Sequence, residues 1–223
     1  MKLIDLSHTV FDGLETYRGL PAPLICDFLS REDSAEHYAD GTTFQIGKIE
    51  LISNTGTYLD APFHRYADGK DLSELALESV ADLDGIVFRP KITNRAIDRS
   101  AFGDVPLAGK AVLIQTGWSQ HWNSEQYFHG HPYLTEDAAI YLRDAGAALV
   151  GIDSLNIDDT QDGRRPVHTI LLGAEILIVE HMTALAALPQ SGFKFYAVPV
   201  KVKAMGTFPV RAFAMIQNDG SKS

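Results

Sequence analysis

The order of hydrophobic and polar residues predicts short strands in the first half of the chain. Apolar and polar residues alternate over residues 44–52 with one slip in the middle, which predicts a strand with a bulge. A short helix capped by Ser73 is predicted over residues 73–80, with Leu77 on its inner side. Apolar runs at residues 85–88 and 110–116 predict buried strands.

The second half of the chain adds a helical period between strands. Thr135 is a predicted N-cap, and Glu136 and Asp137 suit the positive start of a helix that Gly146 closes. Residues 147–152 then predict a strand, and residues 175–179 predict another after a helical turn at 168–172. This order of strand, helix and strand is typical of an α/β unit.

The last quarter of the chain predicts strands without helices between them. Residues 193–203 and 211–217 are rich in β-branched and aromatic residues, interrupted by Pro199, Gly206 and Pro209. Residues 218–223 are polar and predict a frayed tail. We therefore predict one mixed α/β domain over residues 1–217.

Composition and charge narrow the class of partner. The 223 residues contain 19 Lys and Arg against 29 Asp and Glu, which gives a formal net charge of −10. The only two Lys or Arg residues adjacent in sequence are Arg164 and Arg165. Such an acidic chain lacks the basic surface that nucleic acids and anionic membranes attract, so a small-molecule substrate is expected. No apolar run approaches the length of a membrane span, and the N-terminus lacks a signal-peptide pattern, so we expect a cytoplasmic protein. The single cysteine, Cys26, excludes an intrachain disulfide.

Asp60 and His64 flank a proline in a segment with little regular structure. In a fully extended chain their backbones would lie roughly 13 Å apart, too far to share one ion. Pro62 fixes its own φ and favours an extended Ala61, so a turn beginning at Pro62 would bring His64 back towards Asp60. The alternative is a plain turn, in which Asp60 caps a helical start and His64 is a surface residue.

A second acid and a second imidazole lie downstream. His168 is on the predicted helical turn, and Glu180 directly follows a buried strand, where a carboxylate needs a cation, a hydrogen-bond donor or solvent. Taken singly, Glu180 could simply mark the exit of the strand. Taken with Asp60 and His64, these residues form an N₂O₂ set that suits Zn²⁺ or Mn²⁺.

Further residues at strand ends are weaker candidates. Asp153 follows a predicted strand and is a candidate for orienting a ligand histidine, or for capping the next turn. Trp118 and Trp122 are candidates for the wall of an aromatic pocket, although core packing explains them equally well. The pair Arg164–Arg165 is a candidate for binding a substrate carboxylate, although exposed loop arginines are usually only solvated.

Several separate motifs, in the same order along nearly the whole chain, carry a family resemblance. They lie at residues 5–8 (Asp-Leu-Ser-His), 56–64, 71–75, 115–118 and 151–153, and at His168 followed by Glu180. The chain resembles the cyclase family of metal-dependent hydrolases, which includes bacterial kynurenine formamidase and isatin hydrolase. The resemblance implies a compact β/β/α domain and a homodimer or homotetramer, in which Tyr17 and Arg18 reach the substrate pocket of a neighbouring subunit.

The chain departs from the family signature, His-x-Gly-Thr-His-x-Asp-x-Pro-x-His, at two metal ligands. Asn54 stands in place of the first histidine and Tyr58 in place of the second. The resemblance then implies that one divalent ion remains, held by Asp60, His64, His168 and Glu180. If His64 instead acts as a base, as it does in one-metal relatives, only Asp60 remains of the usual site and no metal is expected.

These observations predict a metal-dependent hydrolase that opens an amide, formamide or cyclic amide C–N bond in a small molecule, with an aromatic substrate as one option. His64, Tyr58 and Glu180 are the candidate catalytic residues. The candidate substrate-binding residues are Asn54, Trp118, Trp122, Tyr17 and Arg18. The alternatives are a non-catalytic binding protein of the same fold, or a metal-independent lyase or cyclase that uses Tyr58 and His64.

Overall fold

The chain folds around one large mixed β-sheet. A computed structural model describes residues 1–217, so the tail predicted at residues 218–223 lies outside the described part. Its helices are short: α1 (Arg31–Ser34), α2 (Glu136–Asp144) and α3 (Pro166–Gly173). The strands are β1 (Lys2–Asp5), β2 (Leu24–Leu29), β3 (Ile46–Glu50), β4 (Tyr58–Asp60), β5 (Leu83–Phe88), β6 (Ala96–Ile97), β7 (Ala111–Ile114), β8 (Tyr133–Leu134), β9 (Leu149–Ile152), β10 (Leu177–Glu180), β11 (Ser191–Tyr196), β12 (Thr207–Pro209) and β13 (Phe213–Ile216).

Nine of these strands form the main sheet, in the order β1-β13-β11-β5-β7-β9-β10-β4-β12. The central strands β5, β7, β9 and β10 are parallel, and the outer strands are antiparallel. Alternate central residues face opposite sides: Val112 and Val150 pack towards α2 and α3, whereas Leu113 and Leu149 pack into a second apolar layer. Burial on both faces explains why these strands are apolar throughout. The predicted mixed α/β fold class is confirmed.

Most of the predicted elements exist, with bounds that differ by a few residues at their ends. The strand predicted at residues 44–52 is β3, but the register shift lies in its partner β2, between Asp27 and Leu29. The helix predicted after Thr135 is α2, and Gly146 follows it with a φ of +74°. No helix in the described residues has both the length and the apolar character to cross a membrane.

The helix predicted over residues 73–80 is wrong. The segment contains only a 3₁₀ turn, Leu77–Ser79, and Leu77, predicted to face inward, is 66% exposed. Ser73 does not cap a helix because its backbone N–H and its hydroxyl both donate to the Asp71 carboxylate. Local hydrogen bonds of this kind compete with helix formation.

Strand register brings distant residues to one edge of the sheet. Tyr58 on β4 lies opposite Glu180 on β10, and Asp60 lies opposite Thr207 on β12. Pro209 is tolerated in β12 because that strand is the last in the sheet. The strands β4, β10 and β12, which are far apart in sequence, therefore meet at residues 58–60.

Gly206 fixes the turn that follows β4. Its carbonyl accepts a hydrogen bond from the Ala61 N–H at 2.7 Å, and a Cβ at this position would lie 2.2 Å from the backbone nitrogen of His64. Backbone atoms cannot move aside as the end of a flexible side chain can. The absence of a side chain at Gly206 is therefore what allows the turn to pack against β12.

We expect Gly206→Ala to destabilise the protein by about 2 kcal/mol, because overpacking must displace the backbone of the turn. For a chain of this size, the thermal midpoint should fall by roughly 4–8 °C in scanning calorimetry. Gly47→Ala is the matched control, since its Cβ would meet only the side chain of Gln45. A Gly206→Ala protein that melts together with the control would contradict this packing.

Candidate functional site

Asp60 and His64 form one side of the site. Asp60 ends β4 and is fully buried, and the predicted turn at Pro62 is confirmed as a 3₁₀ turn, Pro62–His64, preceded by an extended Ala61. The turn places His64 Nε2 3.8 Å from Asp60 Oδ1. The His64 side chain remains about one-third exposed, so this edge of the site is open.

His168 forms the other side, on the first turn of α3. Its Nε2 lies 3.7 Å from Asp60 Oδ2 and 3.8 Å from Glu180 Oε1. Asp158 holds the start of this helix, since its carboxylate accepts the backbone N–H groups of Val167 and His168 and contacts His168 Nδ1 at 2.6 Å. One aspartate thus caps the helix and fixes the imidazole.

Hydrogen bonds assign the same tautomer to both imidazoles. The Thr207 hydroxyl donates its only proton to Asp60 Oδ1, so its 2.8 Å contact with His64 is a bond donated by the Nδ1–H. His168 Nδ1–H donates to Asp158 in the same way. The lone pair of each neutral ring therefore lies on Nε2, the atom nearest Asp60.

The residues present fit a divalent ion. Asp60, His64 and His168 each offer one ligand atom, and these atoms lie within 4.8 Å of one another. Asp60 Oδ2 is buried and has no hydrogen-bond partner in the described residues. A carboxylate oxygen in this state needs a nearby cation, because its desolvation is otherwise uncompensated. Two imidazole nitrogens and a carboxylate oxygen suit Zn²⁺ or Mn²⁺.

Without an ion, a proton takes the place of the cation. Burial disfavours the charged form of His168, but the hydrogen bond to Asp158 and the negative charges of Glu180 and Asp60 outweigh it. Together they raise the pKa of His168 to about 10. The site therefore attracts positive charge strongly.

Glu180, the fourth predicted ligand, lies beside this cluster and does not join it. Its Oε1 accepts the Ile157 N–H at 2.6 Å. Its Oε2 accepts hydrogen bonds from the Tyr58 hydroxyl and from Asn156 Nδ2. The Tyr17 hydroxyl lies 3.3 Å from Oε2, and its nearer acceptor is the Leu155 carbonyl at 2.8 Å. Burial raises the pKa of Glu180 to about 7, with Asp60 adding to the rise and His168 opposing it. The lone pairs of Glu180 are therefore used by neutral donors.

Tyr58 and Tyr17 form a pair of buried hydroxyls over Glu180. Their oxygens are 2.8 Å apart, and the Tyr58 hydroxyl donates to Glu180. Burial and the Glu180 charge raise the pKa of both phenols, which keeps both protonated. Tyr17 was expected to enter a neighbouring subunit's pocket, but it enters the pocket of its own chain.

A cavity of about 480 Å³ opens onto these residues. Of the candidate residues, its wall contains Tyr17, Asn54, Tyr58, His64, Arg164, Arg165 and His168. Asn54 Oδ1 accepts a hydrogen bond from the Ser53 hydroxyl, and no group within residues 1–217 accepts one from Asn54 Nδ2, so its amide N–H groups are available to a ligand.

Three predicted substrate contacts lie outside the wall of this cavity. Trp122 stacks on His8 with ring centroids 4.1 Å apart, and Trp118 Nε1 donates to the Tyr127 carbonyl. Arg18 pairs with Glu125 and lies over the ring of Phe128. Packing inside the fold and pairing at the surface therefore occupy these side chains.

The sequence prediction also chose the wrong aspartate for orienting a ligand histidine. The Asp153 carboxylate accepts hydrogen bonds from the Thr116 N–H and hydroxyl and from the Gly117 N–H, so it closes a loop. Asp158, ten residues before His168, takes the orienting position. Asp158, in an acid-rich loop, was not among the predicted residues. Nothing local to Thr207 indicates its role.

The chain is similar to known proteins along nearly its whole length. The chain is 27% identical to a kynurenine formamidase of Bacillus anthracis over 214 residues, covering 95% of this chain and 96% of the relative. It is 30% identical to a kynurenine formamidase of Bacillus cytotoxicus over 218 residues, covering 94% and 95%.

Solved structures show the same fold. An isatin hydrolase bound to the product analogue thioisatinate superposes with a TM-score of 0.81 at 20% identity, covering 97% of this chain and 93% of that one. A potential metal-dependent hydrolase with cyclase activity gives a TM-score of 0.79 at 24% identity, covering 97% and 98%.

A family model described as putative cyclase matches residues 4–159, more than half of the chain. The family resemblance inferred from the scattered motifs is thereby confirmed. This protein belongs to the cyclase family.

Proposed function

We propose that this protein is a metal-dependent hydrolase that cleaves an amide or formamide C–N bond in a small molecule. The observation that carries the proposal is the buried, unpartnered Asp60 Oδ2 beside two imidazole Nε2 atoms. Its relatives named kynurenine formamidase support a C–N substrate, and the cavity beside the site is of a size that suits a small molecule.

Asp60, His64 and His168 would hold the ion, Zn²⁺ or Mn²⁺. When bound, it would supply Lewis acidity, polarising the substrate carbonyl and making water a better nucleophile near neutral pH. Glu180 stays outside this set because three donors already use its oxygens.

The remaining groups position the substrate and move protons. Water adds its oxygen to the carbonyl carbon, the C–N bond breaks, and the leaving nitrogen takes a proton. Asn54 lines the cavity, and its amide N–H groups would donate to the carbonyl oxygen as the negative charge develops there, since the Tyr58 hydroxyl already donates to Glu180. Tyr17 lines the cavity and contacts Glu180, so this pair connects a buried carboxyl group to the leaving nitrogen.

We expect His168→Ala to abolish both metal binding and turnover. The variant loses one of three ligands, so metal content should fall from about one ion per chain to background. Hydrolysis of formanilide, an aryl formamide, should fall by more than about 100-fold, beyond the effect typical of a residue that only orients a ligand. Elemental analysis and a formate assay measure the two quantities.

The controls separate a lost ligand from a lost fold. His64→Ala should give the same two losses, and its partly exposed side chain makes it less costly to remove. His129→Ala removes an exposed histidine that pairs with Glu125, and should retain metal and activity. Turnover that persists in a metal-free His168→Ala protein would rule out the proposed mechanism.

We also expect Asp158→Asn to weaken metal binding by about 10- to 100-fold, because the His168 tautomer and ring orientation depend on this carboxylate. A zinc titration with a competing chelator measures the affinity. Asp153→Asn is the matched buried aspartate: it should lower the thermal midpoint and leave the zinc affinity unchanged, because its bonds go to Thr116 and Gly117. Equal zinc affinities in both variants would show that Asp158 does not orient the ligand.

A further inference from the structure

Three arginines line the cavity of this acidic protein. Arg65, Arg164 and Arg165 are in its wall, and none of the residues that the structure describes there is acidic. The whole chain has a net charge of −10 and only 19 basic residues, so three cations around one small cavity are a local reversal of charge. A cavity lined by one sign of charge concentrates ligands of the opposite sign.

Two of the three arginines carry an unbalanced charge. Arg164 makes a close pair with Asp162, at 2.8 Å. Arg65 donates from Nε to the Thr169 hydroxyl, and Arg165 donates from one terminal nitrogen to the Asp159 carbonyl. Over residues 1–217, neither Arg65 nor Arg165 has a carboxylate within ion-pair distance. Each is held by a neutral group and has guanidinium donors left for a ligand.

Both arginines are carried by the segments that hold the ligand imidazoles. Arg65 directly follows His64, and Arg165 precedes His168 by three residues. Arg165 adopts a left-handed backbone, with φ of 50° and ψ of 58°, at the start of α3. Its carbonyl accepts the N–H and the hydroxyl of Thr169, which holds it in this unfavourable conformation. Strain held at a cavity wall beside a candidate site is a common mark of a functional residue.

We propose that Arg165, together with Arg65, binds a carboxylate of the substrate, so that the cavity selects amides that also carry an acid group. This inference rests on the proposed function, and it assigns the substrate class of the same site. A guanidinium matches a carboxylate because its planar fork donates two parallel hydrogen bonds. The carboxylate would lie at the arginines while the amide carbonyl lies at Asp60, His64 and His168.

The test compares two formamides that differ only by the acid group, 2-formamidobenzoate and formanilide, with metal-loaded protein. We expect the acid to be hydrolysed with a kcat/KM about 10- to 100-fold higher, as a hydrogen bond to a charged group implies. Arg165→Met should remove this preference, because it should raise KM for the acid much more than KM for formanilide. Arg143→Met, on the exposed face of α2 and paired with Asp144, is the control and should leave both substrates unchanged.

Binding without turnover provides a second readout. By titration calorimetry, 2-aminobenzoate should bind more tightly than aniline, and Arg165→Met should abolish the difference. If neither formamide is hydrolysed, the proposed hydrolysis fails, and this titration still decides whether the arginines bind a carboxylate. Equal binding of 2-aminobenzoate and aniline, a preference that survives Arg165→Met and Arg65→Met, or equally tight binding of inorganic phosphate would overturn the proposal.

Discussion

One buried carboxylate oxygen constrains the whole site. Asp60 is fully buried at the end of β4, and its Oδ2 has no hydrogen-bond partner among the described residues. Leaving an ionised carboxylate in this state costs several kcal/mol, so the surrounding groups must offer positive charge. The two imidazoles do so by sharing a cation, or His168 alone does so by holding a proton, as its raised pKa indicates. The open side of this cluster faces the cavity.

The neighbouring groups decide how the two buried acids are used. Tyr58 donates to Glu180, and Tyr17 and Asn156 complete the contacts around the same carboxylate. These contacts indicate that Glu180 has a structural role beside the site and can hold a proton there. Neutral donors satisfy it, whereas Asp60 keeps one oxygen free. Two buried acids a few ångströms apart thus acquire different chemistry from the groups that face them.

The outcome for individual residues shows where sequence reasoning ends. The turn at Pro62 was predictable because the proline ring restricts the backbone on both sides of it. The prediction of Asp153 was wrong because it rested only on the position of Asp153 after a strand. The carboxylate that orients His168 belongs to Asp158, which accepts hydrogen bonds from the first residues of α3. Trp118 and Trp122 have the composition of a pocket wall, yet the Trp122 ring stacks on His8 and the Trp118 indole N–H donates to the Tyr127 carbonyl.

The sequence alone determined the α/β class, the central buried strands and the family, because hydrophobic period, turn residues and ordered motifs are local properties of the chain. It also named Asp60, His64 and His168. Only the tertiary structure decided that these three converge while Glu180 is satisfied elsewhere. Strand register decided it, by placing Thr207 opposite Asp60 and Tyr58 opposite Glu180 across more than a hundred residues. Contacts of that range follow from packing of the whole sheet, which no local pattern encodes.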